Sequence, residues 1–416
     1  MRQPSAAPEE GFGGGQDQGK QDECRPMGSH SEENVLQVGR SAVRSDGRQG
    51  KGPRSSNPPS RGNAKTEVRP VRMRAMERHR DTLAPVPGRR RWFFPRLRSR
   101  IEPGATIRSV GCYQVGRLLG KGGMGRVYLA EKVGSHGFSK LMAIKVLPKK
   151  GLGRRAAEMF LDEARLTGGL IHPNIVQVYT LGETRREYFI VMEHVFGVTL
   201  LDLIERHTEL GRRVPVDFGC YIIARILNGL RYAHNKHDRE GRHLHIVHRD
   251  ICPNNILISF RGVPKLTDFG VAKATVSHVD DEREVVFGKY PYMAPEQVGR
   301  RGTEPRSDLY ALGLVMYELL TGCLVHEVGD TTMLLDELEK KSVSPPHTVN
   351  REIPQELSDI VMKAIDLDVE QRWESAKAMR EAVETFLLKN FMFPAQEDLA
   401  DYLCDLFPQA AKHRWW

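Results

Sequence analysis

The sequence lacks any run of 18 or more apolar residues, and its first residues are polar. It therefore predicts neither a transmembrane helix nor a secretory signal peptide. Cysteine is scarce as well, because the six cysteines are scattered along the chain without a CxxC pair. This spacing argues against a structural zinc site or a disulfide framework, and it predicts reduced thiols. Together these absences predict a soluble, cytoplasmic protein.

The N-terminal quarter of the chain lacks sustained helical or strand periodicity. Hydrophobic residues make up only 40% of the sequence, so part of the chain is expected to stay outside any core. Lys and Arg outnumber Asp and Glu almost two to one in residues 1–110, whereas the remainder is nearly balanced. Residues 1–108, which are rich in Arg, Gly and Pro, are therefore predicted to form a disordered basic tail.

Residues 89–98 mix arginines with three aromatic side chains, and two interpretations are open. The segment could attach the protein to an anionic partner, either nucleic acid or a membrane surface. It could instead be a solvated basic linker whose aromatics dock on the neighbouring domain. We favour the linker, because a ten-residue cluster without a folded scaffold specifies little.

Residues 246–255 form a predicted loop that carries two chemically complementary side chains. Asp250 can accept a proton from a hydroxyl, and Asn255 can hold a metal ion. Asp268 follows on a second turn, before Phe269 and Gly270, and supplies another carboxylate. Each short motif is weak alone, but their order and spacing make two unrelated solvated loops a poor explanation.

Residues 112–130 predict a strand, a glycine-rich turn and a returning strand. A dinucleotide-binding unit uses similar glycines but opens a helix after them, whereas here Val127 and Tyr128 continue as a strand. Backbone N–H groups in such a turn can approach phosphate oxygens, because no Cβ atoms intervene. The residues of the turn are Gly120, Lys121, Gly122, Gly123, Met124 and Gly125.

Lys145 lies on the apolar strand 141–147 that follows this turn. An isolated lysine on an alternating strand normally points to water. The glycine-rich turn before it and the helical spacing of residues 155–166 after it, which include Glu163, favour a functional role instead.

In this order, these motifs resemble those of the protein kinases, in particular the bacterial eukaryotic-like (Hanks-type) Ser/Thr kinases. The resemblance implies an ATP-dependent enzyme that transfers the γ-phosphate to Ser/Thr hydroxyls of protein substrates in a signalling role. Asp250 would act on the hydroxyl, Asn255 and Asp268 would hold Mg²⁺, and Lys145, paired with Glu163, would grip ATP phosphates together with the glycine-rich turn. Backbone groups of Glu193 and Val195 would hydrogen-bond the adenine, Ala143 and Leu257 would sandwich the ring, and Met192 would sit behind it. Val127 would also contact the nucleotide.

The resemblance also implies an α+β, bilobal kinase fold. A small β-rich N-lobe with one main helix would span about 109–193, and a larger helical C-lobe about 199–390, within a catalytic domain at 109–390. Residues 391–416 are expected to form a short amphipathic helix and tail, which either docks on the C-lobe or recruits a partner; we favour docking. Asp308 would cap the backbone of the catalytic loop, and Arg372 would pair with Glu296.

Other classes of function compete with this interpretation. A nucleotide-binding pseudokinase would act as a scaffold, but all five polar residues of the kinase site are present. A regulatory protein directed by its basic tail to nucleic acid or a membrane is a third possibility. The histidine-rich residues 234–245 invite a metal site, but their spacing is irregular, and a solvated hairpin fits them better.

The chain departs from the family at two positions. Cys252 stands where Ser/Thr kinases usually carry a lysine, and Lys289 stands where they usually carry a threonine. We expect Lys289 to reach back to Asp250 and supply the missing charge, which also leaves tyrosine open as an acceptor. Arg249 usually accompanies control by an activation-segment phosphate. The activation segment runs from after Asp268 to Glu296 and offers only Thr275 and Ser277 as Ser/Thr acceptors. We expect weak dependence on phosphorylation, because the carboxylates of residues 280–282 would partly neutralise Arg249.

Overall fold

The structure is a computed structural model that describes residues 101–107, 112–122, 125–150, 154–269, 290–299, 302–327, 333–334, 337–338 and 342–413. All of these residues belong to the first of two units into which the chain divides, and the second, 27–92, contains none of them. Residues 1–100 of the predicted basic tail, the tip of the glycine-rich turn and Lys289 lie outside the described residues, as does the side chain of Glu163. The prediction that the tail extends to residue 108 is wrong for residues 101–107, because Ile101 and Ile107 are buried in the core of the first lobe and Thr106–Ile107 form a strand of its sheet.

A six-stranded antiparallel sheet forms most of the N-terminal lobe, in the order β1-β2-β3-β4-β6-β5. Its strands are β1 (Thr106–Ile107), β2 (Cys112–Gly122), β3 (Gly125–Val133), β4 (Ser139–Pro148), β5 (Val178–Glu183) and β6 (Glu187–Glu193). One helix, α1 (Arg154–Gly168), connects β4 to the last two strands.

Strand β4 shows why this sheet has two different faces. Met142, Ile144 and Val146 alternate along the strand and are buried in one apolar core. Ala143 and Lys145 point to the opposite face, which looks towards the second lobe. The lysine is 5% exposed although the strand alternates, so it does not point to water.

The second lobe is helical and has a larger core. Helix α5 is buried along nearly its whole length, which explains its almost continuous apolar sequence. The second lobe also contains a three-stranded sheet, β7-β8-β9, on the side that faces the first lobe. The elements are β7 (Gly197–Thr199), α2 (Leu200–Glu209), α3 (Val216–His234), β8 (Ile256–Ser259), β9 (Pro264–Leu266), α4 (Pro295–Val298), α5 (Pro305–Thr321), α6 (Pro346–Val349), α7 (Gln355–Ala364), α8 (Ala376–Lys389) and α9 (Gln396–Leu406).

Backbone hydrogen bonds join the two lobes beside β9. The N–H of Leu266 donates to the carbonyl of Asn174 at 2.9 Å, and the N–H of Val176 donates to the carbonyl of Leu266 at 2.9 Å. The Asn174 amide adds a third bond, to the carbonyl of Pro264. The connection after α1 is therefore fixed to the strand that leads into Asp268.

Helix α9 packs on the helical lobe. Leu399 and Leu403 are fully buried in its core, and the Tyr402 hydroxyl is hydrogen-bonded to the His207 ring on α2. Gly262, in the β8–β9 turn, has a φ of +73°, and any side chain there would overlap the carbonyl of Gln396. The amphipathic segment therefore contacts both α2 and the β8–β9 turn.

These observations confirm the expected α+β, bilobal fold, with a β-rich first lobe and a helical second lobe. The expectation of reduced thiols is wrong at Cys323, which is disulfide-bonded; the other described cysteines are in the thiol form. None of the helices in the described residues contains an apolar stretch that could span a bilayer.

Candidate active site

Asp250 and Asn255 are held together by a short turn at the end of the loop that follows α3. The Asn255 amide nitrogen donates to the Asp250 carbonyl oxygen at 2.7 Å and to Asp250 Oδ2 at 2.9 Å. The 3₁₀ turn Pro253–Asn255 makes this return possible over five residues. Because the amide nitrogen is occupied by Asp250, the amide oxygen is the group of Asn255 that can serve another ligand.

His248 connects this loop to the turn that carries Asp268. Its Nδ1 accepts from the N–H of Asp250 at 3.2 Å, so Nε2 carries the proton and donates to the carbonyl of Thr267 at 3.0 Å. Burial lowers the pKa of the His248 ring, against the opposing charges of Asp308 and Asp250. The neutral ring, which also packs 4.5 Å from the Phe269 ring, therefore links the two acidic positions.

Asp308, in the first turn of α5, holds the backbone of the same loop. Its two carboxylate oxygens accept from the N–H groups of His248 and Arg249, both at 2.8 Å. Burial alone would raise the pKa of this carboxyl, but the hydrogen bond and charge of His234 bring its pKa below the ordinary value. The expected capping role of Asp308 is confirmed by these contacts.

Arg249 has a backbone φ of +65°, a left-handed conformation that costs on the order of 1 kcal/mol in a residue with a side chain. Its carbonyl accepts from the Gln297 amide at 3.1 Å, and its Nε donates to Thr303 Oγ1 at 2.8 Å. Among the described residues, no carboxylate forms an ion pair with its guanidinium. The acidic residues 280–282 lie outside the described residues.

Lys145 and Asp268 form an ion pair across the cleft, with Nζ 3.0 Å from Oδ1. The lysine side chain is buried, whereas that of Asp268 is 34% exposed, so the pair lies at the inner end of an open cleft. Asp268 has a φ of +57°, which directs its carboxylate towards the lysine-bearing strand. The expected partner of Lys145, Glu163, has its side chain outside the described residues.

The residues expected to contact adenine come together in one apolar cluster between the lobes. Ala143, Val176 and Met192 are buried in it, and Val127, Val195 and Leu257 pack against it from both sides. The N–H of Glu193 donates to the Gln177 carbonyl at 2.8 Å, so only the carbonyl oxygen of Glu193 remains for a base. Its side chain pairs with Lys265 at 3.0 Å and does not enter the cluster.

The glycine-rich turn closes the sheet over the same side of the cleft. Gly122 pairs with Gly125 at the end of the β2–β3 hairpin, Gly120 pairs with Val127, and Lys121 is exposed. Gly125 has a φ of +123°, and a Cβ there would overlap the carbonyl oxygen of Val146. The tip of the turn, Gly123 and Met124, lies outside the described residues.

A family model described as the protein kinase domain matches residues 113–383. The chain belongs to the protein kinase family. Protein kinases use ATP, generally with Mg²⁺. The similarity of this chain to bacterial Ser/Thr kinases confirms that it is a eukaryotic-like bacterial protein kinase.

Two curated relatives of this kinase differ in their names. Tyrosine-protein kinase MasK of Myxococcus xanthus is 36% identical over 282 residues, which cover 68% of this chain and 44% of MasK. Serine/threonine-protein kinase PrkC of Bacillus subtilis is 35% identical over 295 residues, which cover 69% of this chain and 43% of PrkC. The match therefore spans less than half the length of either relative.

Solved structures show the same fold at lower sequence similarity. The kinase domain of PknI from Mycobacterium tuberculosis is 23% identical, with a TM-score of 0.53, and the match covers 70% of this chain and 100% of that one. At this identity the likeness supports the fold alone.

Two buried contacts of the kinase domain join distant segments. Arg372 and Glu296 form the expected bidentate pair at 2.9 and 3.0 Å, which fixes α4 to the segment before α8. The Tyr292 hydroxyl donates to Glu318 Oε2 at 2.6 Å in the helical lobe. The second contact has no sequence signal, because a tyrosine and a glutamate 26 residues apart form no recognised motif.

The structure also corrects the interpretation of the histidine-rich residues. His237 pairs with His243 in a hairpin whose turn is held by Asp238 and Arg242, as expected for a solvated segment. His234, in contrast, is the last residue of α3 and is buried against Asp308 at 2.8 Å. This histidine therefore supports the catalytic loop, and the prediction of a solvated position is wrong for it.

Proposed function

We propose that this kinase domain transfers the γ-phosphate of ATP to Ser or Thr hydroxyls of protein substrates, in a signalling role. The observation that carries the proposal is that one histidine connects two pairs of polar side chains, one on the loop after α3 and one across the cleft. Asp250 is bonded to Asn255, Lys145 is paired with Asp268, and His248 links the two segments. Lys145 is buried and pairs with a carboxylate on a left-handed turn. Two solvated loops or a purely structural role would not explain this arrangement.

ATP binding is assigned to three groups of residues. The apolar cluster around Ala143 and Met192 accepts the flat adenine ring, with the Glu193 carbonyl and the Val195 backbone as its polar edge. Lys145 holds the phosphates by charge, supported by the expected pairing with Glu163. The glycine-rich turn covers them, since its backbone approaches without side chains in the way.

The residues present fit a magnesium ion. Mg²⁺ prefers oxygen ligands, and the amide oxygen of Asn255 and the carboxylate of Asp268 provide them. In this kinase the Asn255 amide is oriented by its two bonds to Asp250, which leaves the oxygen for the metal. When bound, the ion would neutralise charge on the phosphate oxygens.

Asp250 is proposed to orient the acceptor hydroxyl and take its proton. Its carboxylate is fixed by Asn255 and its backbone N–H by His248, so little reorientation is needed when a substrate arrives. Positioning and charge stabilisation supply most of the rate enhancement in phosphoryl transfer, so this rigidity is the main contribution of the loop.

The acceptor residue depends on the charge beside Asp250. Cys252 is buried and neutral where a lysine is usual, and we propose that Lys289 supplies that charge instead. Lys289 lies outside the described residues, so the pairing rests on the sequence. The relative named as a tyrosine kinase keeps tyrosine open as a second acceptor, which assays on Ser, Thr and Tyr versions of one peptide would separate.

The proposed activity is tested by label transfer from γ-labelled ATP to a generic basic protein. Asp250→Asn should abolish transfer while ATP binding persists, because the nucleotide contacts are elsewhere. Asp238→Asn, which alters a carboxylate in the remote hairpin, is the matched control and should retain activity. If the wild type binds ATP but transfers no more label than Asp250→Asn, a nucleotide-binding scaffold becomes the better description.

A second experiment tests Lys289. Lys289→Thr should lower kcat far more than KM for ATP, because a cation beside the transferring phosphate acts in the transition state. Lys289→Thr combined with Cys252→Lys should restore much of the loss. An unchanged kcat in the single variant would end the hypothesis.

The basic tail is proposed to be a linker, with an anionic partner as the competing interpretation. We keep the C-terminal segment at 391–416 and the end of the catalytic domain at residue 390 as part of the proposal. The boundary between the tail and the domain, expected at 108/109, is moved to about residue 100, because Ile101 and Ile107 are buried in the core of the first lobe. Salt-dependent retention of a 1–105 fragment on DNA or on anionic vesicles would favour a partner, and the two matrices distinguish nucleic acid from membrane.

A further inference from the structure

Arg249 is held at two points by the N-terminal end of one helix. Asp308, in the first turn of α5, accepts from its backbone N–H, and Thr303, just before that helix, accepts from its side-chain Nε. Helix α5 is the most thoroughly buried helix described in the lobe, so Asp308 sits on a rigid element and Thr303 lies two residues before its first residue. A left-handed residue beside Asp250 is thereby fixed by backbone and side chain together.

The partner of the Arg249 side chain is chemically unusual for its position. A guanidinium one residue from the reacting carboxylate would be expected to meet a carboxylate or a phosphate. Instead its Nε meets a neutral hydroxyl, half-buried, and within the described residues no carboxylate pairs with it. A hydroxyl acceptor is permanent, whereas a phosphate has to be added.

We propose that Thr303 is a positioning residue for phosphoryl transfer: its hydroxyl holds Arg249, and through it Asp250, without a phosphate on the activation segment. The proposal rests on the proposed kinase activity. Without the hydroxyl, Nε loses its acceptor and the side chain no longer opposes relaxation of the left-handed backbone. The Asp250 carboxylate is then held less firmly in its orientation towards the acceptor hydroxyl. The contacts of Lys145 and Val127 with the nucleotide do not change.

The test compares Thr303→Val, which keeps the shape and removes the hydroxyl, with Thr303→Ser, which keeps the hydroxyl. Thr303→Val should lower kcat about ten- to a hundredfold, the factor that one hydrogen bond to a charged group provides, with KM for ATP unchanged. Thr303→Ser should stay near the wild type. Thr348→Val is the control for the same chemical change far from the loop, since it removes a hydroxyl that donates to the carbonyl of Pro345.

Two further measurements separate positioning from general destabilisation. Hydrogen exchange of the peptide 246–255 should rise in Thr303→Val and not in Thr348→Val, while Tm stays within a few degrees of the wild type. Phosphatase treatment of the wild-type protein should leave most of its activity.

The proposal is overturned if Thr303→Val keeps the wild-type kcat, if Thr303→Ser falls equally, or if phosphatase treatment alone abolishes activity. If the wild-type protein transfers no phosphate, the proposed function fails, and exchange at residues 246–255 then decides the role of Thr303 by itself.

Discussion

The buried pair of Glu318 and Tyr292 makes the stability of the kinase domain depend on pH. Glu318 is 5% exposed, and its carboxylate accepts from the Tyr292 hydroxyl at 2.6 Å. Burial raises the pKa of Glu318 from 4.5 to about 7, with a further increase from the charge of Glu205, although the Tyr292 hydrogen bond opposes it. The proton therefore stays on the folded protein over a range in which the unfolded chain has lost it.

The direction and magnitude of the pH effect on stability follow from the difference in the pKa of Glu318 between the folded and the unfolded chain. The stability contributed by a protonated Glu318 is fully present below pH 4.5 and is lost as pH rises to about 7. At about 1.4 kcal/mol per pKa unit, the loss amounts to about 3 kcal/mol. Glu318→Gln removes the ionisation and keeps an acceptor for Tyr292, so the variant should gain that amount relative to the wild type as pH rises from 5 to 8.

The measurement is the free energy of unfolding by urea at pH 5, 6, 7 and 8, for the wild type, Glu318→Gln and Glu352→Gln. Glu352 is exposed, and its replacement should shift the curves little at any pH. Tyr292→Phe should move the wild-type transition to higher pH, because it removes the bond that lowers the pKa of Glu318. A difference between wild type and Glu318→Gln that stays constant from pH 5 to 8 would refute this account.

Three other changes have definite expected outcomes. Gly125→Ala should raise KM for ATP by about fivefold or more in an ATP titration, because the clash with the Val146 carbonyl and the positive φ together cost more than about 1 kcal/mol. Arg372→Met should lower the free energy of unfolding by about 3–5 kcal/mol in denaturant titration, since it leaves the Glu296 carboxylate without its buried partner; equal stability would contradict this. Replacing Thr275 and Ser277 by Ala should leave most of the phosphotransfer activity, and a fall to the level of Asp250→Asn would show phosphate dependence.

The residues that perform chemistry were predictable because they sit in short motifs. Asp250 and Asn255 share one loop, and Lys145 lies on a strand between a glycine-rich turn and a helix. In each case the local chain fixes the side chain, so spacing along the sequence is informative. The division into two lobes was predictable from the same motifs, because the order of these motifs along the chain is typical of the family.

The residues that hold the site were mostly not predictable. Thr303 meets Arg249 across 54 residues, and Tyr292 meets Glu318 across 26, so neither contact leaves a periodic signal. His234 was misjudged because it ends a histidine-rich stretch, whereas burial against Asp308 is decided by the packing of α3 on α5. Such contacts depend on how helices pack, which spacing alone does not specify.

Helix α9 has a consequence for where the folded unit can be cut. The family match ends at residue 383, but Leu399 and Leu403, which lie 16 and 20 residues later, complete the core. A fragment that ends at residue 383 would expose the apolar surfaces that α9 covers. Gly262 would also lose its close contact with the backbone of Gln396. Recombinant boundaries for this protein should therefore extend to at least residue 413, and a fusion partner should be attached beyond that point.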